Sequence, residues 1–168
     1  PFSEEELASV GLSTSDYNAA ALQAATGDDG QIYGLPLDIH AIILYYNKEI
    51  LGSAGLLDDK GLPNFTGSLE AFNAGMEAIK AAGKTPLAFP GDNGTLWRVF
   101  YSMVGQQGAQ LLDADNKVIA KEEITTAINT IKGWMDGGLA TPNTEYPAAI
   151  ALFTSGEASM MLNGVWEV

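Results

Sequence analysis

Two kinds of hydrophobic periodicity alternate along this chain, and their alternation limits the folds that it can adopt. Apolar residues recur every three or four positions over 66–83, 96–105 and 124–137, which predicts amphipathic helices. Short β-prone runs lie before, between and after these helices, at 42–46, 85–89 and 158–162. This order is typical of an α/β layered fold with helices on a mostly parallel sheet. The first run is apolar on both faces, so we expect a buried strand there.

Shorter helices are predicted outside that pattern. Ser3 followed by Glu6 forms a capping box, which places acid at the positive end of a helix. An Ala-rich stretch predicts a further helix over 16–25. Two more short helices are expected over 48–56 and 148–154, because glycines follow their apolar residues.

Composition removes several classes of function. The chain has 168 residues and a mass of 17.7 kDa, the size of one ordinary domain. Its 21 acidic and 8 basic residues give a net charge of −13, which repels nucleic-acid phosphates and anionic membranes. Cysteine is absent and His40 is the only histidine, which excludes thiolate and multi-histidine metal sites. We therefore expect no cofactor, no metal site and no nucleic-acid partner.

The apolar runs and the chain ends bear on location. No apolar run approaches the roughly 20 residues that span a bilayer. No signal peptide precedes Pro1, and the chain stops at Val168 within an aromatic stretch. We interpret the sequence as a fragment, so the missing signal peptide carries no information about the compartment.

A first candidate site precedes the predicted strand at 42–46. Period-two alternation places Asp38 and His40 on one face of an extended segment. One interpretation is a polar pair at the floor of a binding cleft. The other is an ordinary Asp–His pair that fixes the entrance to a strand.

A second candidate site spans 89–97, where a predicted strand gives way to a Gly-rich turn and a helix. This order would direct Asp92 and Asn93 toward a cavity above the sheet, with Trp97 on the first helical turn. Carboxylates and amides suit sugar hydroxyls, and an indole suits the apolar face of a pyranose. The alternative makes Asp92 and Asn93 turn residues, Thr95 a helix cap and Trp97 a core residue.

A third candidate site follows the last predicted strand. Gly164 would allow a close backbone approach, so that Trp166 could form an aromatic platform for a ligand. A core tryptophan is the alternative interpretation.

Two other functions are compatible with these residues. A glycoside hydrolase needs two carboxylates at a defined separation, for which Asp38 with Asp92 or Glu157 could serve. A non-catalytic interaction domain would instead expose a sizeable apolar patch.

Taken in order, several segments resemble one family of proteins. They are 33–40, 44–48, 50–51, 54–56, 146–153, 156–158, 160–161 and 163–166, with Trp134 and Gly138 between them. These segments resemble the carbohydrate-type extracellular solute-binding proteins of ABC importers, the maltose-binding-protein-like group. The resemblance covers roughly Tyr33 to Val168.

The resemblance implies two α/β lobes that are joined by hinge strands and close on a sugar. Residues 1–31 would then be closing helices of a truncated first lobe, 32–40 a hinge crossing, and 41–168 the second lobe, truncated at its end. We expect the isolated chain to bind sugar weakly, because it would hold only half of the cleft.

The resemblance also implies roles for individual residues. Trp166 falls on a sugar-stacking aromatic of the family, and Trp97 falls near another. Tyr146 matches a rim tyrosine. His40 replaces a ligand-contacting acid, which is a departure from the family pattern.

The function implied is the substrate-binding component of an ABC sugar importer, which is not an enzyme. It would bind a mono- or oligosaccharide and deliver it to permease subunits in the membrane. We expect a monomeric, extracytoplasmic protein, located in the periplasm or held as a lipoprotein at the outer face of the cell membrane.

Overall fold

The computed structural model describes residues 1–167, apart from the side chain of Asn93. The chain divides into two compact units, Pro1–Ala41 and Ile42–Val168. None of the described helices is long and apolar enough to cross a membrane.

The first unit holds two short helices, α1 (Glu4–Ser9) and α2 (Ala19–Ala24), with a 3-10 turn between them. The predicted capping box is confirmed, because the Glu6 backbone N–H donates to the Ser3 hydroxyl and the Glu6 carboxylate accepts from the Ser3 N–H at 2.8 Å. Helix α2 begins later than predicted. The reason is that the Asn18 side chain accepts from the first free N–H groups and so caps the helix there.

The second unit alternates helices and strands. Its strands are β1 (Ile42–Tyr46), β2 (Thr85–Ala88) and β3 (Ala158–Gly164). Its helices are α3 (Lys48–Ser53), α4 (Leu69–Ala81), α5 (Asn93–Gln106), α6 (Lys121–Asp136) and α7 (Tyr146–Thr154). Each predicted helix and strand of this unit is present within a few residues of its expected bounds.

The three strands form one sheet in the order β1-β3-β2. Strand β2 runs parallel to β3, with Thr85 opposite Ala158. Strand β1 runs antiparallel to β3, with Ile42 opposite Gly164. The α/β class is confirmed, and the pairing is mixed because one neighbour of the central strand runs in each direction.

The prediction that β1 is a buried strand is wrong. It lies at the edge of the sheet that the described residues form, and Ile43 is 37% exposed. The central strand is β3, whose residues are almost all buried. An apolar sequence on both faces does not distinguish an edge strand from a central one, because the pairing partners lie far away in the chain.

Helices cover both faces of the sheet. On one face, Leu87 and Met160 pack against α4, α5 and α6, and Trp134 of α6 closes this larger core. On the other face, Ala88 and Met161 pack against α7. Consecutive strand residues thus point to opposite layers. This packing fixes the end of β3 next to the start of α7.

Candidate functional site

Polar and aromatic side chains meet where β3 ends and α7 begins. Trp166 lies in a 3-10 turn, Val165–Glu167, that follows β3. Its indole Nε1 donates to the Tyr146 hydroxyl at 2.6 Å. Tyr146 is the first residue of α7. The structure therefore brings together two residues that the sequence singled out twenty positions apart. We call Tyr146, Asn163, Gly164, Trp166 and Glu167 the Trp166 cluster.

A buried amide anchors this cluster. The Asn163 side chain is 0% exposed, and its Oδ1 accepts from the Gly164 backbone N–H at 2.8 Å. The same oxygen lies 3.1 Å from the Tyr146 hydroxyl. The carboxylate of Glu167 is a second acceptor for that hydroxyl. The single phenolic proton can therefore go to either acceptor while the phenol oxygen accepts from Trp166.

The Trp166 ring lies directly against Gly164. A Cβ at position 164 would lie 2.1 to 2.3 Å from three atoms of the six-membered ring, a separation that real side chains do not adopt. Such similar distances to three adjacent ring atoms place the glycine over a face of the ring rather than at its edge. The predicted close approach of the backbone at Gly164 is therefore confirmed.

Arg98 of α5 also reaches this cluster. Its guanidinium carbon lies 5.6 Å from the centroid of the Trp166 ring, within the range of a cation–π contact. A Cβ at position 94 would lie 2.9 Å from Nη1 of Arg98, so Gly94 leaves room for the guanidinium over the first turn of α5. The first turn of α5 is thereby linked to the end of β3.

The Tyr146 phenol remains protonated in this setting. Burial raises the pKa of Tyr146, and the hydrogen bond to the Glu167 carboxylate raises it further. The contacts with Trp166 and Asn163 act in the opposite direction and are outweighed. At neutral pH the phenol is therefore a neutral hydrogen-bonding group that can donate and accept.

Asp92 caps α5. Its Oδ1 accepts from the backbone N–H groups of Gly94 and Thr95, both at 2.9 Å. Thr95, which the alternative interpretation of this segment made the cap, is buried within the helix. Both residue types are good caps, so the sequence did not decide between them. The second carboxylate oxygen of Asp92 is buried without a partner among the described residues. The side chain of Asn93 lies outside the described residues.

Trp97 lies on another side of α5. It is 53% exposed, so the alternative that it is a core residue is wrong. Its ring packs against Phe100 at 5.4 Å between centroids and against Tyr101 at 6.2 Å. With Phe100 and apolar residues of α6 it lines a cavity of about 730 Å³, which we call the α5–α6 groove.

Asp38 and His40 belong to the first unit. The His40 Nε2 lies 3.0 Å from an Asp38 carboxylate oxygen, and both side chains are well exposed. The predicted placement of these two side chains on one face is confirmed by their pairing.

The sequence interpretation missed three residues of this region as site residues. Asn163 lay in one of the segments that carry the family resemblance, but nothing in the sequence indicated that its side chain is buried. Nothing in the sequence marked Glu167 as a partner of the Tyr146 hydroxyl. Arg98 did carry a signal, because it is the only arginine in an acidic chain and follows Trp97 directly. The chemistry assembled here is hydrogen bonding and aromatic packing, and the described residues hold no group of three or more metal-ligating side chains.

The chain matches known proteins over most of its length. A family model described as bacterial extracellular solute-binding protein matches residues 4–168. An arabinooligosaccharide-binding protein of Halalkalibacterium halodurans is 30% identical over 90 residues, which are 54% of this chain and 19% of that protein. A lactose-binding protein of Rhizobium radiobacter is 26% identical over 138 residues, which are 82% of this chain and 32% of that protein.

A solved structure agrees with these matches. The GacH receptor of Streptomyces glaucescens, determined unliganded and in complex with acarbose and an acarbose homolog, is 28% identical with a TM-score of 0.73. The match covers 95% of this chain and 42% of the receptor. The chain thus spans about a fifth to two-fifths of the length of these relatives. Because the family model covers nearly the whole chain, the protein belongs to the bacterial extracellular solute-binding protein family.

Proposed function

We propose that this protein is the substrate-binding component of an ABC importer and binds a mono- or oligosaccharide. The observation that carries the proposal is the Trp166 ring, which is held in place by Gly164 and Tyr146 while it stays 39% exposed. An ordered and accessible indole surrounded by hydrogen-bonding groups is the surface that a pyranose requires. The sugar-binding names of the curated relatives support the same class of ligand.

The aromatic ring contributes a substantial part of the free energy of sugar binding. Each hydrogen bond to a sugar contributes only about 0.5–1.5 kcal/mol net, because water already satisfied both partners. Packing of the apolar sugar face on an indole adds about 1 kcal/mol beyond the area that it buries. The binding free energy therefore depends on where the ring is held as much as on the polar groups.

We propose seven sugar contacts from the sequence and the family resemblance. They are Asp38, His40, Asp92, Asn93, Trp97, Tyr146 and Trp166. The hydrogen bond between Tyr146 and Trp166 supports a shared role for those two residues. We also propose that 1–31 belong to a first lobe, 32–40 to a hinge and 41–168 to a second lobe. The division of the chain after Ala41 supports the last boundary.

The partners follow from the same proposal. A solute-binding component is expected to dock, as a monomer, on permease subunits at the outer face of the membrane, either free or lipid-anchored.

The curated relatives are named as binding proteins, which supports a role without catalysis. The use of Asp92 as a helix cap also gives no support to a hydrolytic carboxylate there.

A thermal-shift screen tests the proposal. The protein at its full natural length is melted with arabinotriose, lactose, maltotriose and their monosaccharides. A ligand that binds only the folded state at a hundred times its Kd stabilises it by about 2.7 kcal/mol, a rise of several degrees in Tm. Glycerol at equal concentration controls for the general effect of co-solvents. A Tm that rises no more with any saccharide than with glycerol contradicts the proposal.

A further inference from the structure

The two edges of the three-stranded sheet differ in how their backbone groups are paired. Beside β2, the segment 139–144 runs along the strand and forms bridges to it. The Leu87 N–H donates to the Leu139 carbonyl and the Leu87 carbonyl accepts from the Thr141 N–H, both at 3.1 Å. Strand β1 has no comparable neighbour on its outer side, because β3 is the only strand beside it among residues 1–167.

The register shows which backbone groups of β1 lie at that outer side. Directly after the strand, the Asn47 N–H donates to the Ser159 carbonyl at 2.9 Å, which continues the antiparallel register of β1 on β3. Backbone groups alternate in direction along a strand, so the odd-numbered residues of β1 face β3. The N–H and C=O groups that point outward are those of Ile42, Leu44 and Tyr46. None of these groups has a hydrogen-bond partner in the described part of the chain.

Strand β1 lacks the features that protect an exposed edge. Free edge strands are usually very short, or carry a lysine, a proline or a bulge. All five residues of β1 are aliphatic or aromatic, and they pair with β3 in an unbroken register. An apolar edge of this kind promotes aggregation unless another strand or a further part of the protein covers it.

A cavity of about 330 Å³ lies beside this edge. It is lined by Ile42 and Leu44 of β1 and, from the helices that cover this face of the sheet, by Phe72, Met103 and Trp134. A strand placed next to β1 would direct every second side chain toward this cavity. Because the cavity walls are mainly apolar, we expect apolar side chains at those positions.

We propose that the outer edge of β1 binds a strand from another part of the same protein, outside residues 1–168, whose alternate apolar side chains fill this cavity. This chain spans only a fifth to two-fifths of the length of the relatives that it matches, so proteins of this family have ample further sequence for such a strand. The inference goes beyond the proposed function and does not depend on sugar binding.

A strand from the same molecule fits this edge better than one from a second copy. Pairing within one molecule avoids the loss of translational and rotational freedom that accompanies association of two molecules. Two copies of a chain with a net charge of −13 would also repel each other.

Amide hydrogen exchange tests the inference, measured residue by residue by NMR on the protein at its full natural length. After correction for intrinsic rates, the amides of Ile42, Leu44 and Tyr46 are expected to exchange ~100-fold or more slowly than an amide without a hydrogen bond. The β1 amides that face β3 are the positive control. Gly67 provides the open reference, because it is exposed and its N–H has no acceptor among residues 1–167.

A second measurement on the same sample identifies the partner of the edge. The amide of Leu44 is expected to show nuclear Overhauser effects to backbone protons outside residues 1–168, because neighbouring strands lie about 4.8 Å apart. Mixing isotope-labelled with unlabelled protein separates effects within one molecule from effects between two. Analytical ultracentrifugation is expected to show a monomer.

Three results would overturn the inference. If the outward amides exchange as fast as that of Gly67, the edge is open in the whole protein. If they exchange slowly but show no nuclear Overhauser effect to residues outside 1–168, side chains cover the edge and no strand pairs there. If the effects arise only between molecules of a dimer, a second copy is the occupant. None of these results bears on sugar binding, which the thermal-shift screen measures separately.

Discussion

Trp97 and Trp166 are both substantially exposed, at 53% and 39%, but the molecule holds them in different ways. Trp166 is fixed by a hydrogen bond from its indole N–H, by close packing on Gly164 and by the Arg98 guanidinium. Trp97 contacts the rings of Phe100 and Tyr101 and borders the α5–α6 groove. One indole lies among polar groups and the other among apolar ones.

This difference shows that exposure alone does not identify a sugar platform. A pyranose needs an apolar surface with hydrogen-bonding groups around it, and the Trp166 cluster provides both where β3 ends and α7 begins. The α5–α6 groove is lined mainly by apolar side chains, with Lys132 and Asp136 as its charged members. The comparison therefore ranks Trp166 ahead of Trp97 as a saccharide contact, and the following changes test that ranking.

Apart from removal of the Trp166 ring itself, Gly164→Ala is expected to have the largest effect. The new methyl group would overlap the Trp166 ring, so the indole must leave its position. We expect saccharide affinity to fall on the order of thirtyfold, because both the aromatic contact and the apolar area that it buries are lost. Gly105→Ala is the matched control, because nothing lies near a Cβ at that position of α5. An alanine at 164 that leaves Kd unchanged in calorimetry would mean that the sugar does not use this ring.

Tyr146→Phe is expected to have the next largest effect. It removes the acceptor for the Trp166 N–H and leaves the buried Asn163 amide oxygen with one partner fewer. We expect about a fivefold to tenfold loss of affinity, in line with one or two hydrogen bonds.

The matched control for that change is Tyr46→Phe. It also removes a phenolic hydrogen bond, the one to the Gly61 carbonyl at 2.9 Å, which lies outside the Trp166 cluster. The control should lower Tm and leave Kd unchanged. Equal Kd values for the two variants would remove Tyr146 from the site.

The helices and strands were largely predictable from the sequence, and the site was only partly so. Local spacing determines where α4, α5 and α6 form, because each presents an apolar stripe to the sheet. The edge position of β1 depends on its pairing with β3, more than a hundred residues away. The contact between Arg98 and Trp166 likewise depends on the packing of α5 beside β3, which no local pattern encodes.

Trp97→Ala tests whether the second exposed indole, on α5, also contacts the sugar. If the ring contacts the sugar, Kd should rise by about fivefold, the value of one aromatic contact near 1 kcal/mol. If the ring only packs in the α5–α6 groove, the unliganded Tm should fall while Kd stays the same. Calorimetry and melting on the same samples distinguish these results, and the second removes Trp97 from the proposed contacts.

The pH dependence of the Trp166 cluster should be the smallest effect. The raised pKa of Tyr146 means that the unfolded chain releases this proton before the folded one does. The contribution of the phenol to stability is therefore complete below the unfolded pKa of about 10 and is lost as pH rises through the folded value. Difference absorbance between wild type and Tyr146→Phe should show a tyrosinate signal above that ordinary pKa. A signal at or below it would contradict the burial described here.

The most direct test of the account is a calorimetric titration of the wild type and of Trp166→Ala, both at full natural length, with the saccharide that gives the largest thermal shift. We predict that the variant keeps its fold, judged by circular dichroism, and loses affinity by thirtyfold or more, because the ordered indole is the main apolar surface for the sugar. A variant that binds the same saccharide with the Kd of the wild type would contradict the account.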